Sequence, residues 1–531
     1  MFESFDPPGL SALGEAPEMR VAFGGTSTLL LDWVLRVHAA THELISRAGD
    51  DPPLTLYKGT LQDAFSIDRS IIGSARIGED VTIGLGEVTV SNVEGDYDDL
   101  ASNSSPLGQE IEIRMGDRRR PLSEWRVILK GYTVDMNMDR DQVRFSLRDS
   151  GHRLDVPASP NVYAGTGGTE GGEDLKGKRK PRVFGHAPNV SAPLVIASSL
   201  AYQLNDGPMH AVTAAYVRGV ALTPTSDHAS VAAMNAASLS AGKYATCLSA
   251  GWARIAVASG AETGQVTWDV QGDATDGAFA ETTGAIVRRL LTTAGGLSDP
   301  GDLVPVAFDR LDAVQPAPVG YVIPAGDDQT VRDAVGRLMA AIGGWCGANR
   351  RGRFEARRFE APAGVPTGVY DKRVITDAQR VALPGDVSPP PWRVRVGWGR
   401  NNTVQTTDLA GAVTEARRAY LAAEIRYAAA QDNNIRLTFP PGAEMVVDGY
   451  FRDESAAATE AARRLALFGE PRELYAVTLA ERLYIHEPGE VVRVEFDRYG
   501  LDAGRLCTVV RVRESRSDGG SGDGVELTVF A

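Results

Sequence analysis

The sequence is poor in cysteine and contains no long apolar run. Its 531 residues include three cysteines, Cys247, Cys346 and Cys507, which are far apart and odd in number. They can build neither a disulfide framework nor a Cys-x-x-Cys metal site, so we expect them to be small apolar residues of the core. No apolar stretch approaches the roughly 18 residues needed to span a bilayer. Residues 1–20 lack the basic start and apolar run of a secretion signal, so we expect a soluble protein made in the cytoplasm.

Basic residues are fewer than acidic ones. The 69 Asp and Glu outnumber the 55 Lys and Arg, which gives a formal net charge of −14. Nucleic-acid binders draw affinity from neutralising many phosphates, so this charge disfavours such a binder, although it suits a wall past which nucleic acid slides. Apolar residues at 43% and charged residues at 23% are ordinary globular values. At about 150 residues per domain, we expect three or four domains.

Catalytic and metal-binding motifs are also missing from the sequence. It has no G-x-S-x-G turn, no H-E-x-x-H motif and no dinucleotide fingerprint after a strand. His38 and His42 are four residues apart, but Ala39 stands where the zinc motif needs Glu. The acidic residues 95–99 lack the order of a calcium loop and are typical of a turn that ends a strand. We therefore expect no catalytic, metal-binding or cofactor-binding residues and no enzymatic activity.

One stretch, G-E-D-L-K-G-K-R at residues 172–179, falls one residue short of the G-x-x-x-x-G-K-[ST] loop that cradles nucleotide phosphates. A phosphate loop follows a buried strand, but the preceding residues are YAGTGGTEG. Glu173 and Asp174 would repel phosphate, and Arg179 stands where the Mg²⁺-binding hydroxyl must be. The sequence therefore predicts a long loop that binds no nucleotide.

The same region carries a dense group of cations. A stretch of only seven residues in this acidic chain contains Lys176, Lys178, Arg179, Lys180 and Arg182. Two interpretations stay open: a solvated loop, or a surface that docks on an acidic face of another subunit. On the second, the five cations are a candidate inter-subunit contact. We expect the glycines before them to give the chain reach as it leaves the first β domain.

Apolar and polar residues alternate along several early segments. Every odd position of residues 29–37 is apolar, and the pattern recurs in EVTVSNV, EIEIRMG, WRVILKGYTV and QVRFSLRD. A period of two with turn residues between predicts antiparallel strands. Short strands resume at 181–275, where GWARIAVASGAETGQVTWDV is a candidate hairpin.

Helix patterns begin only later in the chain. GAIVRRLL and TVRDAVGRLMAAIGG predict helices, the second capped by Asp327 or Asp328 and ended by Gly343. RRGRFEARRFE then predicts a strand. The Ala- and Arg-rich residues 410–431 and 454–468 predict two more helices.

The end of the chain returns to strands. The final segment predicts four or five of them, with Val492, Val494 and Phe496 on one face and charged residues between them on the other. The Gly/Ser-rich SRSDGGSGDG tract predicts a flexible hairpin tip.

Several of these segments match a known family. GEVTVSNVEGDYDDL at 86–100 and GQEIEIRMGD at 108–117 resemble a recurrent signature of phage tail-tip proteins. The following block, with its LKGKRKP and PRVFG elements, is similar to the next part of such proteins. Residues 330–359 and 487–501 resemble the middle and closing parts of the baseplate hub family of long-tailed phages, prophages and gene transfer agents. The shared motifs are turns and strands rather than chemical signatures.

This resemblance implies a homotrimeric structural hub at the distal end of a phage tail. Each subunit would carry two tube-like β domains, so that three chains present six similar modules to the hexameric ring above. The implied partners are the distal tail protein, the tape-measure protein and tip or fibre proteins, with DNA passing through unbound. The chain would be made in the host bacterial cytoplasm and reside in the virion. Since it stops after the closing strands, host binding or wall digestion would belong to other polypeptides.

The predicted fold class is therefore multidomain and β-rich with α+β parts, in which two tube-like antiparallel β domains flank small β and helix-containing insertions. The expected units are 1–160 (N-terminal β), 161–180 (Gly-rich and basic loop), 181–275 (small β), 276–400 (α+β), 401–480 (helix-containing) and 481–531 (closing strands).

Two alternative functions stay open. One is a tail-associated cell-wall or polysaccharide hydrolase, whose paired carboxylates could lie far apart in the chain. The other is a carbohydrate-binding or receptor-binding module, which needs exposed aromatic residues.

Overall fold

The computed structural model describes residues 18–23, 28–31, 38–73, 76–103, 107–259, 263–480, 484–517 and 524–531. The first segment with a period of two begins in a strand, but its residues 32–37 lie outside the described residues. Residues 518–523, which make up most of the Gly/Ser-rich tract, lie outside them as well.

The first part of the chain consists mainly of strands. Its elements are β1 (Glu18–Phe23), β2 (Thr28–Leu31), β3 (Leu44–Ile45), β4 (Leu56–Tyr57), β5 (Leu61–Ile72), β6 (Ile77–Gly84), β7 (Glu87–Ser91), α1 (Asp98–Asn103), β8 (Glu110–Gly116), β9 (Arg126–Met138) and β10 (Gln142–Arg148). The four later segments that the sequence predicts as strands are confirmed in β7 to β10. In β10 the period of two buries Val143, Phe145 and Leu147 on one face.

The 181–275 segment forms short strands in two layers. Its elements are β11 (Arg182–Val190), β12 (Leu194–Ile196), β13 (Ala201–Gln203), β14 (Met209–Val217), β15 (Val220–Ala221), β16 (Thr223–Asp227), α2 (Val231–Ala236), β17 (Lys243–Cys247), β18 (Trp252–Ala256) and β19 (Val266–Asp273). The predicted hairpin of β18 with β19 is wrong, because β18 pairs with β13 and β17 while β19 pairs with β11 and β14. Ile255 of β18 and Trp268 of β19 instead share one apolar core. The alternation was predicted correctly, but the two strands belong to different sheets.

Helices enter in the next part of the chain. Its elements are α3 (Thr283–Thr293), α4 (Pro305–Val314), β20 (Gly320–Ile323), α5 (Val331–Ala341), β21 (Gly344–Ala348), β22 (Phe354–Arg358), β23 (Gly368–Tyr370) and β24 (Ile375–Val381). Strand β20 completes a five-stranded sheet in the order β15-β14-β19-β11-β20, beside a second of order β12-β13-β18-β17-β16.

The caps of α5 differ in part from the prediction. The predicted Asp327 or Asp328 cap is wrong, because Thr330 caps the helix by accepting from the N–H of Asp333 at 3.1 Å. The Asp333 carboxylate in turn accepts from the N–H of Thr330 at 2.9 Å, which completes a capping box. Gly343 follows the helix at φ +63°, as expected for a residue that ends it.

A small sheet and a long helix precede the closing strands. The elements are β25 (Arg393–Trp398), α6 (Glu415–Ala422), β26 (Arg426–Gln431), α7 (Asn433–Thr438), β27 (Glu444–Phe451) and α8 (Glu454–Phe468). The helix at 454–468 is confirmed, but the one at 410–431 is only partly right. Its last six residues form β26, which pairs with β25 and buries Ala428. Tertiary pairing here overrides the helix propensity of an Ala-rich segment.

The first and last parts of the chain meet in one large sheet. The last elements are β28 (Leu474–Leu479), β29 (Val491–Val494), β30 (Arg505–Ser517) and β31 (Gly524–Phe530). The sheet has 14 strands, and its main path runs β1-β8-β9-β10-β7-β5-β30-β31-β28-β24. Strands β5 and β30 join the two halves in antiparallel pairing, from Ser70 opposite Arg511 to Asp63 opposite Ser517. The fold is β-rich and multi-sheet with several helices, and its described strands form no closed barrel.

The two halves of this sheet also share a core. Buried side chains from the first part, such as Val88 and Phe145, belong to the same apolar cluster as Val477 and Val512 from the last part. Burying a side chain of this size contributes about 1.5–3 kcal/mol. Packing and strand pairing thus fasten the ends of the chain into one frame.

Candidate functional site

The Gly-rich basic segment is a compact loop that folds back on itself. The N–H of Tyr163 donates to the carbonyl of Lys178, and the N–H of Gly177 donates to the carbonyl of Tyr163, both at 2.9 Å. The N–H of Lys180 donates to the carbonyl of Asn161, also at 2.9 Å. The two ends of the loop therefore lie side by side. The expectation that its glycines give the chain reach is wrong.

Buried side chains and glycine conformation explain this compact form. Tyr163 and Leu175 are buried in a small core with Trp252. Gly171 has φ +68°, and a Cβ there would lie 2.8 Å from Leu175 Cδ1. The glycines let the loop turn sharply around its own apolar residues.

Arg182, the last of the five candidate cations, is buried at the start of β11. Its guanidinium contacts the Asp273 carboxylate at 3.4 Å, the Thr293 hydroxyl at 3.0 Å and the Ala158 carbonyl at 3.3 Å. Burial lowers the pKa of Arg182, and Asp273 partly offsets this. These contacts fasten the loop to β19 and α3.

Arg179 and Lys180 are half-buried and paired within the chain. Arg179 donates to Asp328 at 2.7 Å and to the carbonyl of Ser159 at 3.0 Å. Lys180 contacts Glu170 at 2.8 Å. The hydrogen bond from Lys180, together with one from the N–H of Ala164, lowers the pKa of Glu170.

Lys176 and Lys178 are the exposed members of the group. Lys176 pairs with Glu173 at 2.9 Å, and both side chains are largely exposed. The ammonium of Lys178 has no hydrogen-bond or ion-pair partner within the part of the chain that the structure describes. The loop therefore presents a mixed-charge surface rather than a uniformly basic patch, and Arg182 is buried beneath it. The role of the five cations as an inter-subunit contact stays a prediction.

The arrangement of neighbouring elements also differs from a phosphate loop. The segment after Arg179 is strand β11 rather than a helix, so no helix N-terminus faces the glycines. Among the described residues, no cluster of three or more His, Cys, Asp or Glu could hold a metal ion. In the same part of the chain, no helix is long and apolar enough to cross a bilayer.

A second charged site lies at the join of the large sheet. Arg350, in the turn between β21 and β22, is 7% exposed. Its guanidinium contacts the Glu514 carboxylate of β30 at 3.2 and 3.3 Å and that of Glu487 at 3.1 Å. It also donates to the carbonyl of His486 at 2.7 Å and to that of Ile128, in β9, at 3.3 Å.

Opposite charges in this network favour the ionised forms of Arg350 and Glu487. Burial alone would lower the pKa of Arg350, but Glu514 and Glu487 outweigh it and raise that pKa. Burial alone would likewise raise the pKa of Glu487, but Arg69 of β5 and Arg350 lower it. The network thus ties β5, β9, β30 and the β21–β22 turn together.

Sequence reasoning missed this network. Arg350 lies in ANRRGRF beside Arg351 and Arg353, and no local pattern distinguishes the buried arginine from its neighbours. Its partner Glu514 lies 164 positions away. One signal was usable. In VVRVRES, Glu514 follows Val510 and Val512 at the next alternate position, where the pattern predicts an apolar residue.

The chain has a multi-sheet fold and is similar to several solved structures. No protein-family model matches the chain, and no curated protein matches it. It is similar to the tail protein from Neisseria meningitidis MC58, at 10% identity and a TM-score of 0.39, over 89% of this chain and 96% of that one.

Two further solved structures are similar over most of the chain. The 43 kDa tail protein of prophage MuSo2 from Shewanella oneidensis matches at 11% identity and a TM-score of 0.36, over 90% of this chain and 93% of that one. A chain of a native gene transfer agent virion matches at 16% identity and a TM-score of 0.38, over 67% of this chain and 84% of that one. The three matched structures come from tail proteins or from a gene transfer agent virion, the group that the sequence motifs resemble.

Proposed function

We propose that this chain is a structural virion protein, the trimeric hub at the distal end of a phage-type tail. It joins the tail tube and the distal tail protein to the tip, and it forms the gate for DNA and the tape-measure protein. The role is one of assembly rather than catalysis. The sequence motifs shared with baseplate hubs, such as those at 86–117 and 487–501, support this proposal.

The observation that carries the proposal is the joining of the first and last β segments of the chain by β5 and β30. Pairing of β5 with β30 makes both β segments parts of one sheet with a common core. The small β and α+β segments lie between these two β segments in the chain, as insertions. Three such frames, each supplying two β modules, suit contact with a sixfold ring, and the tube closes only between subunits.

The charge of the chain suits a channel for DNA. A net charge of −14 disfavours strong attachment of phosphates to the hub. Carboxylates that line a lumen repel DNA over a range of about 8 Å at physiological salt. DNA therefore passes through without being specifically bound.

Within this hub, the exposed end of the basic loop is an inter-subunit contact. The double variant Lys176→Glu/Lys178→Glu should impair assembly while leaving the fold intact, since neither side chain is buried. Its matched control is Lys372→Glu, because Lys372 is also exposed and pairs with Asp497 at the surface. Particle yield and thermal unfolding separate the two effects. Normal particles from the double variant would return the loop to the interpretation of a solvated surface.

The location of the chain in particles tests the proposal as a whole. The C-terminal Ala531 is buried and paired with Glu473, so a tag there would strain the fold. Val365 is 91% exposed in the loop before β23, and an epitope inserted beside it should be harmless. Electron microscopy should then show antibody at the tail tip. Label on the head, along the tube or absent from particles would contradict the proposal.

A further inference from the structure

A cavity of about 270 Å³ lies between the five-stranded sheet that contains β11, β14 and β19 and the three-stranded sheet β26-β25-β27. Its lining comes from both sheets and from α6. The volume is near the lower end of the roughly 300–1,000 Å³ of small-molecule pockets, which suits a ligand of the size of one sugar ring. Pockets at the junction of two structural units are common ligand sites.

The two walls of the cavity are fastened to each other. The Asn402 side chain donates to the carbonyl of Pro188 at 2.8 Å, and the N–H of Arg452 donates to the carbonyl of Pro318 at 3.0 Å. The buried Asn189 side chain donates to that of Asn401 at 2.8 Å. The cavity is thus formed before any ligand arrives, which reduces the ordering cost of binding.

The charged groups of the lining are already paired within the chain. Arg400 contacts Glu424 at 3.0 Å, and His186 contacts Glu281 at 2.8 Å. The Asp269 carboxylate accepts from the N–H of Asn189 at 2.7 Å and from the hydroxyl of Tyr216 at 2.8 Å. An anion would have to displace the carboxylates that already contact Arg400 and His186, so the cavity does not favour an anion.

Three half-buried aromatic residues, Trp398, Tyr420 and Tyr450, line the cavity. Arginines lie over all three rings: Arg426 at 4.1 Å from the centre of Tyr420 and at 6.0 Å from that of Trp398, and Arg400 at 5.3 Å from that of Tyr450. Such stacking holds the rings in place. It also puts positive charge next to them, which disfavours a cationic ligand.

The hydrogen-bonding groups left over are neutral. Within the described residues, the hydroxyls of Tyr420 and Tyr450 and the indole N–H of Trp398 have no hydrogen-bond partner. The side-chain oxygens of Gln271 and Asn402 accept no hydrogen bond there either. Uncharged donors and acceptors beside aromatic surface match a ligand with neutral hydroxyls and apolar C–H faces.

We propose that this cavity is a binding site for an uncharged saccharide. The site is independent of the hub role, because it involves neither the large sheet nor the basic loop. If the chain stands at a tail tip, the same chemistry would let it contact neutral glycans of a cell surface.

Saturation-transfer NMR on the purified full-length chain tests this site. The probes are glucose, galactose, N-acetylglucosamine and N-acetylgalactosamine, with glucuronic acid, choline and uridine as anionic, cationic and nucleoside comparators. We expect transfer to the ring protons of at least one neutral sugar, and weaker or no transfer to the comparators. Tighter binding of any comparator, or no transfer to any neutral sugar, would overturn the proposal.

Matched variants locate the binding. Tyr420→Phe and Tyr450→Phe keep the rings but remove the free hydroxyls, and each should weaken sugar binding about five- to tenfold. The control is Tyr427→Phe, because this tyrosine lies on β26 outside the cavity and its hydroxyl contacts Asp448 at 3.4 Å. Should a tyrosine variant unfold, Gln271→Ala gives the same test from the opposite wall. Equal binding by the cavity variants and the wild type would place the sugar elsewhere and refute the site.

Discussion

Replacement of Arg350 by Met should strongly destabilise the chain. Methionine keeps most of the length of the side chain but removes the guanidinium, so the loss is mainly one of charge and hydrogen bonds. Those bonds reach Glu514, Glu487 and the carbonyls of His486 and Ile128. The neighbouring Arg351→Met is the matched control, because Arg351 is exposed.

The expected magnitude follows from what the substitution leaves behind. The Glu514 side chain is fully buried and would lose its contacts with Arg350, keeping only the attraction of Arg126, whereas Glu487 would keep Arg69. Removing one partner of a buried ion pair costs about 3–5 kcal/mol. An exposed substitution such as Arg351→Met changes stability by no more than about 0.5 kcal/mol.

Urea unfolding followed by tryptophan fluorescence and far-UV circular dichroism measures both variants. The double variant Arg350→Met/Glu514→Gln should recover part of the lost free energy, since it removes the buried carboxylate that has lost its contacts with Arg350. We expect a coupling between the two substitutions of about 1–3 kcal/mol. A loss below about 1 kcal/mol for Arg350→Met, or strictly additive effects, would refute the view that this network fastens the sheet.

Two further predictions concern acid stability and helix capping. Arg153 and the Ser298 N–H and hydroxyl outweigh the effect of burial and lower the pKa of Asp302 to about 2. The stability this carboxylate contributes is therefore present above its unfolded pKa and is lost as the pH falls from about 4 to 2. Unfolding measured from neutral pH to below pH 2 should show Asp302→Asn less stable at neutral pH, with a difference from the wild type that shrinks as the pH falls through about 2; a constant difference would contradict this. Thr330→Ala should cost about 1 kcal/mol by removing the cap of α5, while Thr330→Ser should be nearly neutral in thermal unfolding; equal effects would count against the cap.

Local patterns predicted much of the secondary structure. An alternation of apolar and polar residues, or a helix cap followed by an amphipathic segment, can be recognised within about ten neighbouring residues. Strands β7 to β10 and helix α8 were found in this way. Pairing between distant strands was not, because partner choice depends on which apolar faces meet. Apolar and polar residues alternate in β18 and β19 as they do in the two strands of a hairpin. The two strands nevertheless belong to different sheets, from which Ile255 and Trp268 enter one core.

The sites were harder to predict than the elements. The five cations of the basic loop were visible as a group, but the carboxylates that neutralise Arg179 and Arg182 come from Asp328 and Asp273, far along the chain. A count of local charge therefore overstated the basic character of the surface. The sugar-sized cavity was invisible for a related reason, since its aromatic residues lie on three separate elements.

The oligomeric state tests the central claim of a trimeric hub most directly. Light scattering after size-exclusion chromatography should be measured on the full-length chain, alone and co-expressed with the neighbouring tail proteins. The account predicts a complex that contains three copies of the 56.6 kDa chain. A chain that stays monomeric in both preparations would contradict it.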